Sequence, residues 1–135
     1  MYVRRLTTLF GENAGKIWLA LNQEGCSKKE KIIQITKLDE ENFYAGIGWL
    51  ARENKITKED EDCFKLGTTN LDSQIGNHAG VIWKILDIWG DADLRTIKRL
   101  SNLDDNDLQS ALGWLAREDK IVVNENQKFI LKLSD

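Results

Sequence analysis

The sequence predicts a mostly α-helical fold with small β-hairpins (α+β), made of one small unit written twice. Three observations carry this. Residues 48–56, Gly-Trp-Leu-Ala-Arg-Glu-Asn-Lys-Ile, return almost unchanged at residues 113–121. The 65-residue offset holds without a gap from Gly11/Gly76 to Phe64/Phe129, with about 20 identities over 57 aligned positions. Each half also shows three stretches of helical periodicity followed by two short β-prone stretches. Self-similarity at one offset across a 135-residue chain marks a duplicated structural unit. A half of about 65 residues lies near the lower end of what folds on its own core.

The first helix is expected over residues 13–22. Ala14, Ile17, Trp18 and Leu21 form one face, and Ala79, Ile82, Trp83 and Leu86 repeat it at i, i+3, i+4, i+7 spacing. Gly25 and Gly90 stand where a left-handed helix cap belongs. The second helix is expected from Ser27, which has capping-box spacing to Glu30, with Ile32, Ile33 and Ile35 on its apolar side. Its copy runs from Asp93 through Ile97 and Leu100.

The third helix opens at Asp39, a natural N-cap, followed by Glu40 and Glu41, which suit the positive end of the helix dipole. Leu38 and Phe43 have the spacing of a hydrophobic staple, and Leu103, Asp104 and Leu108 reproduce the arrangement. These helices run to Asn54 and Asp119. Then come Lys55-Ile56-Thr57, an acidic turn Glu59-Asp60-Glu61-Asp62, and Phe64-Lys65-Leu66. In the copy, Lys120-Ile121-Val122-Val123 leads through Asn124-Glu125-Asn126-Gln127 to a strand over residues 129–133. Each pair reads as a β-hairpin. Three helices and a hairpin make a winged helix-turn-helix. The expected organisation is two tandem units: residues 1–67 with an N-terminal extension, a linker at 68–75, and residues 76–135.

Gly-x-x-Ala-Gly-x-Ile-Trp opening the first helix, with Gly-Trp-Leu-Ala-Arg-Glu-x-Lys-Ile closing the third, resembles a prokaryotic winged-helix family of unknown function. Its members usually carry a single unit. The likeness covers both halves and leaves residues 1–9 and the linker outside it. It implies the fold and a general DNA-binding label, and it supplies no catalytic residues.

Composition excludes several classes. With 41% hydrophobic and 30% charged residues, this is an ordinary globular composition. No apolar run approaches the roughly 18–20 residues of a membrane span. Arg4 and Arg5 are not followed by the apolar segment of a secretory signal, so a cytoplasmic location is expected. There is no glycine-rich phosphate loop, nucleophile elbow or metal-ligand spacing. Cys26, Cys63 and the single His78 make no zinc set, and the cysteines are expected as reduced thiols. They would nonetheless lie on or beside strands that pair in many winged helices, where a redox switch could form. His78 reads as a polar group near a helix start. No enzyme, cofactor, metal or small-molecule substrate is inferred.

Two kinds of partner remain, protein and DNA. A DNA-reading winged helix places its third helix in the major groove and its wing on phosphate, which favours basic groups. Here those places carry Asp39-Glu40-Glu41, Asp104-Asp105-Asn106-Asp107 and the acidic first wing tip. The net charge of −3 points the same way. The candidate nucleic-acid contacts are the basic residues assigned to the second helices, Lys28, Lys29, Lys31, Arg95, Lys98 and Arg99. Gln109 and Arg117 on the second unit's third helix join them.

The candidate protein contacts are Gly48, Arg52, Gly113 and Arg117 on the outward faces of the third helices. A mid-helix glycine costs roughly 1 kcal/mol against alanine. Its presence in both copies beside a tryptophan suggests either a close neighbour (the other unit, the N-terminal segment or a second chain) or room for that tryptophan to pack. Trp89 has no aromatic counterpart in the first half, where Glu24 stands. It is either an extra core residue or an exposed anchor. The leading expectation is a binding module acting through protein contacts or self-association, alone or in a DNA-associated complex. The alternative is a DNA-binding transcriptional regulator.

Overall fold

Apolar residues recur at helical spacing three times in each half and then at strand spacing, and the chain folds accordingly. The computed structural model describes residues 6–132. In unit one, α1 (Leu6–Glu24), β1 (Ser27–Lys28), α2 (Lys29–Thr36) and α3 (Glu40–Arg52) precede β2 (Ile56–Glu59) and β3 (Cys63–Leu66). Unit two repeats this with α4 (Asp72–Trp89), β4 (Asp91–Ala92), α5 (Leu94–Ser101), α6 (Asp105–Arg117), β5 (Ile121–Val123) and β6 (Phe129–Leu131). Each sheet is antiparallel with its last strand in the centre, in the orders β1-β3-β2 and β4-β6-β5. Ser27 lies opposite Phe64, and at the equivalent place Ala92 lies opposite Phe129. The α+β class and the two winged helix-turn-helix units are as the sequence predicts. Arg4, Arg5 and Leu133 lie outside the described residues.

The third helices begin as expected. Asp39 accepts a hydrogen bond from the Asn42 backbone N–H at 2.8 Å, and Asp104 accepts from that of Asp107 at 2.8 Å. Leu38 and Phe43 bury in one core with Ile32, Ile47 and Leu50.

Several local expectations are corrected. The first helices extend well beyond residues 13–22, starting at Leu6 and Asp72. The added turns carry Phe10 and Ile75, equivalent positions that cross over: Phe10 packs into the core of unit two, and Ile75 into that of unit one. Periodicity within one unit could not reveal a face that belongs to the other. Residues 72–75 of the expected linker are therefore helical.

Ser27 does not cap α2. It pairs in β1, and its hydroxyl donates to the Gly25 carbonyl at 3.0 Å. Lys28, assigned to the second helix, is thereby held in β1 as well. In unit two Asp93 does cap, accepting from the Thr96 N–H at 2.8 Å. His78 lies inside α4, since that helix begins two turns earlier than expected, and its Nδ1 is buried without a partner. Cys26 and Cys63, expected as free thiols, are joined in a disulfide with Cα atoms 5.5 Å apart, within the usual span. The pairing of β1 with β3 brings them together, with Lys28 directly opposite Cys63. Unit two carries Asp91 and Lys128 at the matching places.

The two cores meet where α3 and α6 cross. A Cβ built on Gly48 would sit far inside contact distance of the Ser110 carbonyl oxygen and 3.0 Å from Ser110 Cα. One built on Gly113 would collide in the same way with Ala45. The two backbones touch, and only glycine fits between them. By contrast, a Cβ on Gly15 would meet nothing within 4 Å.

These glycines therefore separate in a simple experiment. Gly48→Ala or Gly113→Ala should lower the urea unfolding free energy by at least about 2 kcal/mol, because backbone has to move. Gly15→Ala should raise it by up to about 1 kcal/mol through helix propensity. Equal effects at the two kinds of site would contradict the crossing.

Candidate functional site

The repeated third-helix segment interlocks with its own copy. Besides the two glycine contacts, the Arg52 Nε donates to Glu118 at 3.1 Å and the Arg117 Nε donates to Glu53 at 2.9 Å. Each guanidinium also lies over a tryptophan of the opposite unit, Arg52 over Trp114 and Arg117 over Trp49, both 5.7 Å from the ring centroid. Lys55 and Lys120 approach the same glutamates at 3.7 and 3.5 Å. Gly, Trp, Arg and Glu of the repeat thus form a reciprocal clasp. The arginines are about half exposed, so each ion pair contributes little, and the glycine crossing sets the geometry.

Of the candidate protein contacts, Gly48, Arg52, Gly113 and Arg117 come together in this clasp. Trp89 stands apart, exposed at the C-terminal end of α4 beside exposed Ile88.

The candidate nucleic-acid contacts do not form one patch. Gln109 is only 8% exposed, next to Ser110, whose backbone meets Gly48 of the other unit. Lys29 donates to Glu40 at 3.1 Å, and that bond holds its ammonium above the ordinary lysine range. Lys31 pairs with Glu24 at 3.0 Å and Lys98 with Asp105 at 2.7 Å. Lys28, Arg95 and Arg99 are exposed without an ion pair among the described residues. The first wing tip, Asp60–Asp62, is acidic, with Lys58 drawn onto Asp62 at 3.2 Å. At the start of α6, burial and then Asp104 hold the Asp107 carboxyl above the usual range, with His78 acting in the opposite sense.

Sequence reading missed a pair of grooves flanking the clasp. Groove one, about 680 Å³, lies between α1 and the end of α3 and is lined by Gly11, Ala14, Gly15, Trp18, Trp49 and Leu50, with Glu53 and Lys55 at its edge. Groove two, about 480 Å³, has the same residue type at eight of the nine matching positions, with Lys84 in place of Leu19. The Trp49 ring packs on Gly11 and the Trp114 ring on Gly76, where a Cβ would stand 3.2 and 3.3 Å away. The signal was present in the repeat: identities at residues 11, 14, 15 and 18 fall partly on the exposed side of the helix. No group of three or more His, Cys, Asp or Glu among the described residues could hold a metal ion. No described helix is long and apolar enough to cross a membrane.

The clasp is tested by two double-mutant cycles, Arg52 with Glu118 and Arg117 with Glu53. Each coupling should be about 0.5–1 kcal/mol in low salt and smaller in high salt, and the two should agree because the contacts are equivalent. Zero coupling in both cycles would remove the clasp.

The comparisons follow the same duplication. A winged helix-turn-helix domain profile (DUF2582) matches residues 6–65 and again residues 71–133. An uncharacterized protein of Methanocaldococcus jannaschii is 38% identical over 64 residues, spanning 44% of this chain and 90% of that protein. That relative thus corresponds to about one unit. No solved structure matches the chain. With two matches covering nearly its whole length, the chain belongs to the winged helix-turn-helix family DUF2582 and carries that family's unit in tandem.

Proposed function

We propose that this chain is a non-enzymatic binding module that acts through protein–protein contacts, on its own or within a DNA-associated complex. Winged helix-turn-helix domains are modules for binding nucleic acid or protein. One observation favours protein here: the third-helix faces that would enter a major groove are buried against each other, backbone to backbone, at Gly48 and Gly113. Freeing either face would break the joint core. Three of the six basic candidates on the second helices and their flanks, Lys29, Lys31 and Lys98, are engaged by Glu40, Glu24 and Asp105, which halves the set left to displace counterions from a duplex. The half-exposed tryptophans of the two grooves and the apolar end of α4 are surfaces suited to protein.

Fluorescence anisotropy with mixed-sequence duplex DNA at low salt tests this, beside affinity capture with nuclease treatment. The expected result is no salt-sensitive duplex binding at about 10 μM protein, a level at which ordinary non-specific binders register. Capture of protein partners should survive the nuclease. Micromolar duplex binding that falls steeply with salt and is lost on Arg95→Glu or Arg99→Glu would overturn the proposal.

A further inference from the structure

The two grooves share their linings, and then the two units diverge in complementary ways. Gly15 and Gly80 lie exposed in their grooves, and a Cβ at either would meet nothing within 4 Å. No neighbour among the described residues requires them, although a helix interior disfavours glycine. Retained twice, they keep each groove floor flat for something outside the chain.

The divergence shows what that is. Groove one carries Leu19, 56% exposed, where groove two carries Lys84, and groove one is the larger and more apolar of the two. The end of the long helix diverges the other way. Unit two has Ile88 and Trp89, 78% and 57% exposed, where unit one has Gln23 and Glu24. Asp87 and Asp91 flank that pair, and all of residues 87–91 are exposed. Gly90, at φ 85°, ends α4 directly after Trp89, so the pair forms a blunt apolar tip bearing two carboxylates. Groove one has the matching character. Its apolar floor is bordered by Lys16 and Lys55, and of its two acids, Glu12 and Glu53, the latter is shared between Arg117 at 2.9 Å and Lys55 at 3.7 Å, so the rim keeps a net positive charge.

We propose that groove one is the docking site for the Asp87–Asp91 tip of a second copy of this chain. The apolar tip fills an apolar groove, and two carboxylates meet a lysine rim within a chain that is acidic overall. Groove two has lysines as well, but Lys84 sets a charge where Leu19 gives groove one an apolar surface for Ile88 and Trp89, so the apolar fit selects groove one. Reciprocal exchange closes a dimer, and a one-way contact builds an open chain. A patch this small belongs with weak, transient interfaces, so association at micromolar or higher concentration is expected. The inference rests on the reading of the chain as a protein-contact module and names one partner for it.

Sedimentation velocity of the full chain at low salt, from about 5 μM to about 500 μM, brackets such an interface. The average mass should rise with concentration and fall back when salt is added. The double variant Ile88→Ser/Trp89→Ser should stay monomeric, and so should Leu19→Glu, which removes the apolar contact and repels the two carboxylates. All three positions are exposed, so far-UV circular dichroism and melting should be unchanged. A wild-type monomer across the whole range overturns the proposal. So does association that survives either variant. Those failures leave the protein-contact reading standing, whereas salt-sensitive duplex binding would remove that reading whatever the mass does.

Discussion

Backbone contact between α3 and α6 at Gly48 and Gly113 is the constraint on which the rest of this structure depends. Helices usually pack 8–10 Å apart because side chains stand between them. Here glycine lies against the carbonyl of Ser110 on one side and of Ala45 on the other, so the third helices come closer. Several features follow from that approach. Ala45 belongs to the core of unit two, Trp49 and Trp114 pack against both cores, and Phe10 and Ile75 reach across in opposite directions. A half of this size is marginal alone, and the shared burial makes one joint core from two small ones.

The same approach decides where charge goes. Arg52 and Arg117, at the C-terminal ends of their helices, are carried across the crossing to Glu118 and Glu53. They stack on the opposite tryptophans and are no longer disposed toward a phosphate backbone. The acidic helix starts cap their own helices and draw in Lys29 and Lys98. A fold often associated with DNA is thus turned inward, with its third helices joining the halves. The surface left over is apolar in places: two tryptophan-lined grooves and the tip of α4.

Much of this was legible in the sequence, unevenly and for identifiable reasons. The duplication, the three helices and the hairpin were readable because spacing and capping are local: Asp39, Asp104 and the Leu38–Phe43 pair behave as their spacing implies. The energetic oddity of Gly48 and Gly113 was also readable, but not which backbone they face, since nothing along the chain encodes that. The starts of α1 and α4 were missed because their apolar residues serve the opposite unit and carry no period of their own unit's core. Ser27 was misread as a cap because its backbone pairs instead with a strand 37 residues away. The disulfide was legible only as the alternative to free thiols, because it depends on β1–β3 pairing rather than on local spacing. Gly15 and Gly80 lay in plain view in the repeat, but their exposure emerges only once α1 and α4 are packed.

The central claim is that the two third helices touch through glycine, and nuclear Overhauser spectroscopy of the labelled full chain tests it most directly. Strong cross-peaks are predicted between the Hα protons of Gly48 and those of Ser110, and reciprocally between Gly113 and Ala45, with the whole chain tumbling as one body. A folded protein that lacks both sets of cross-peaks, with its halves tumbling independently, would contradict the account.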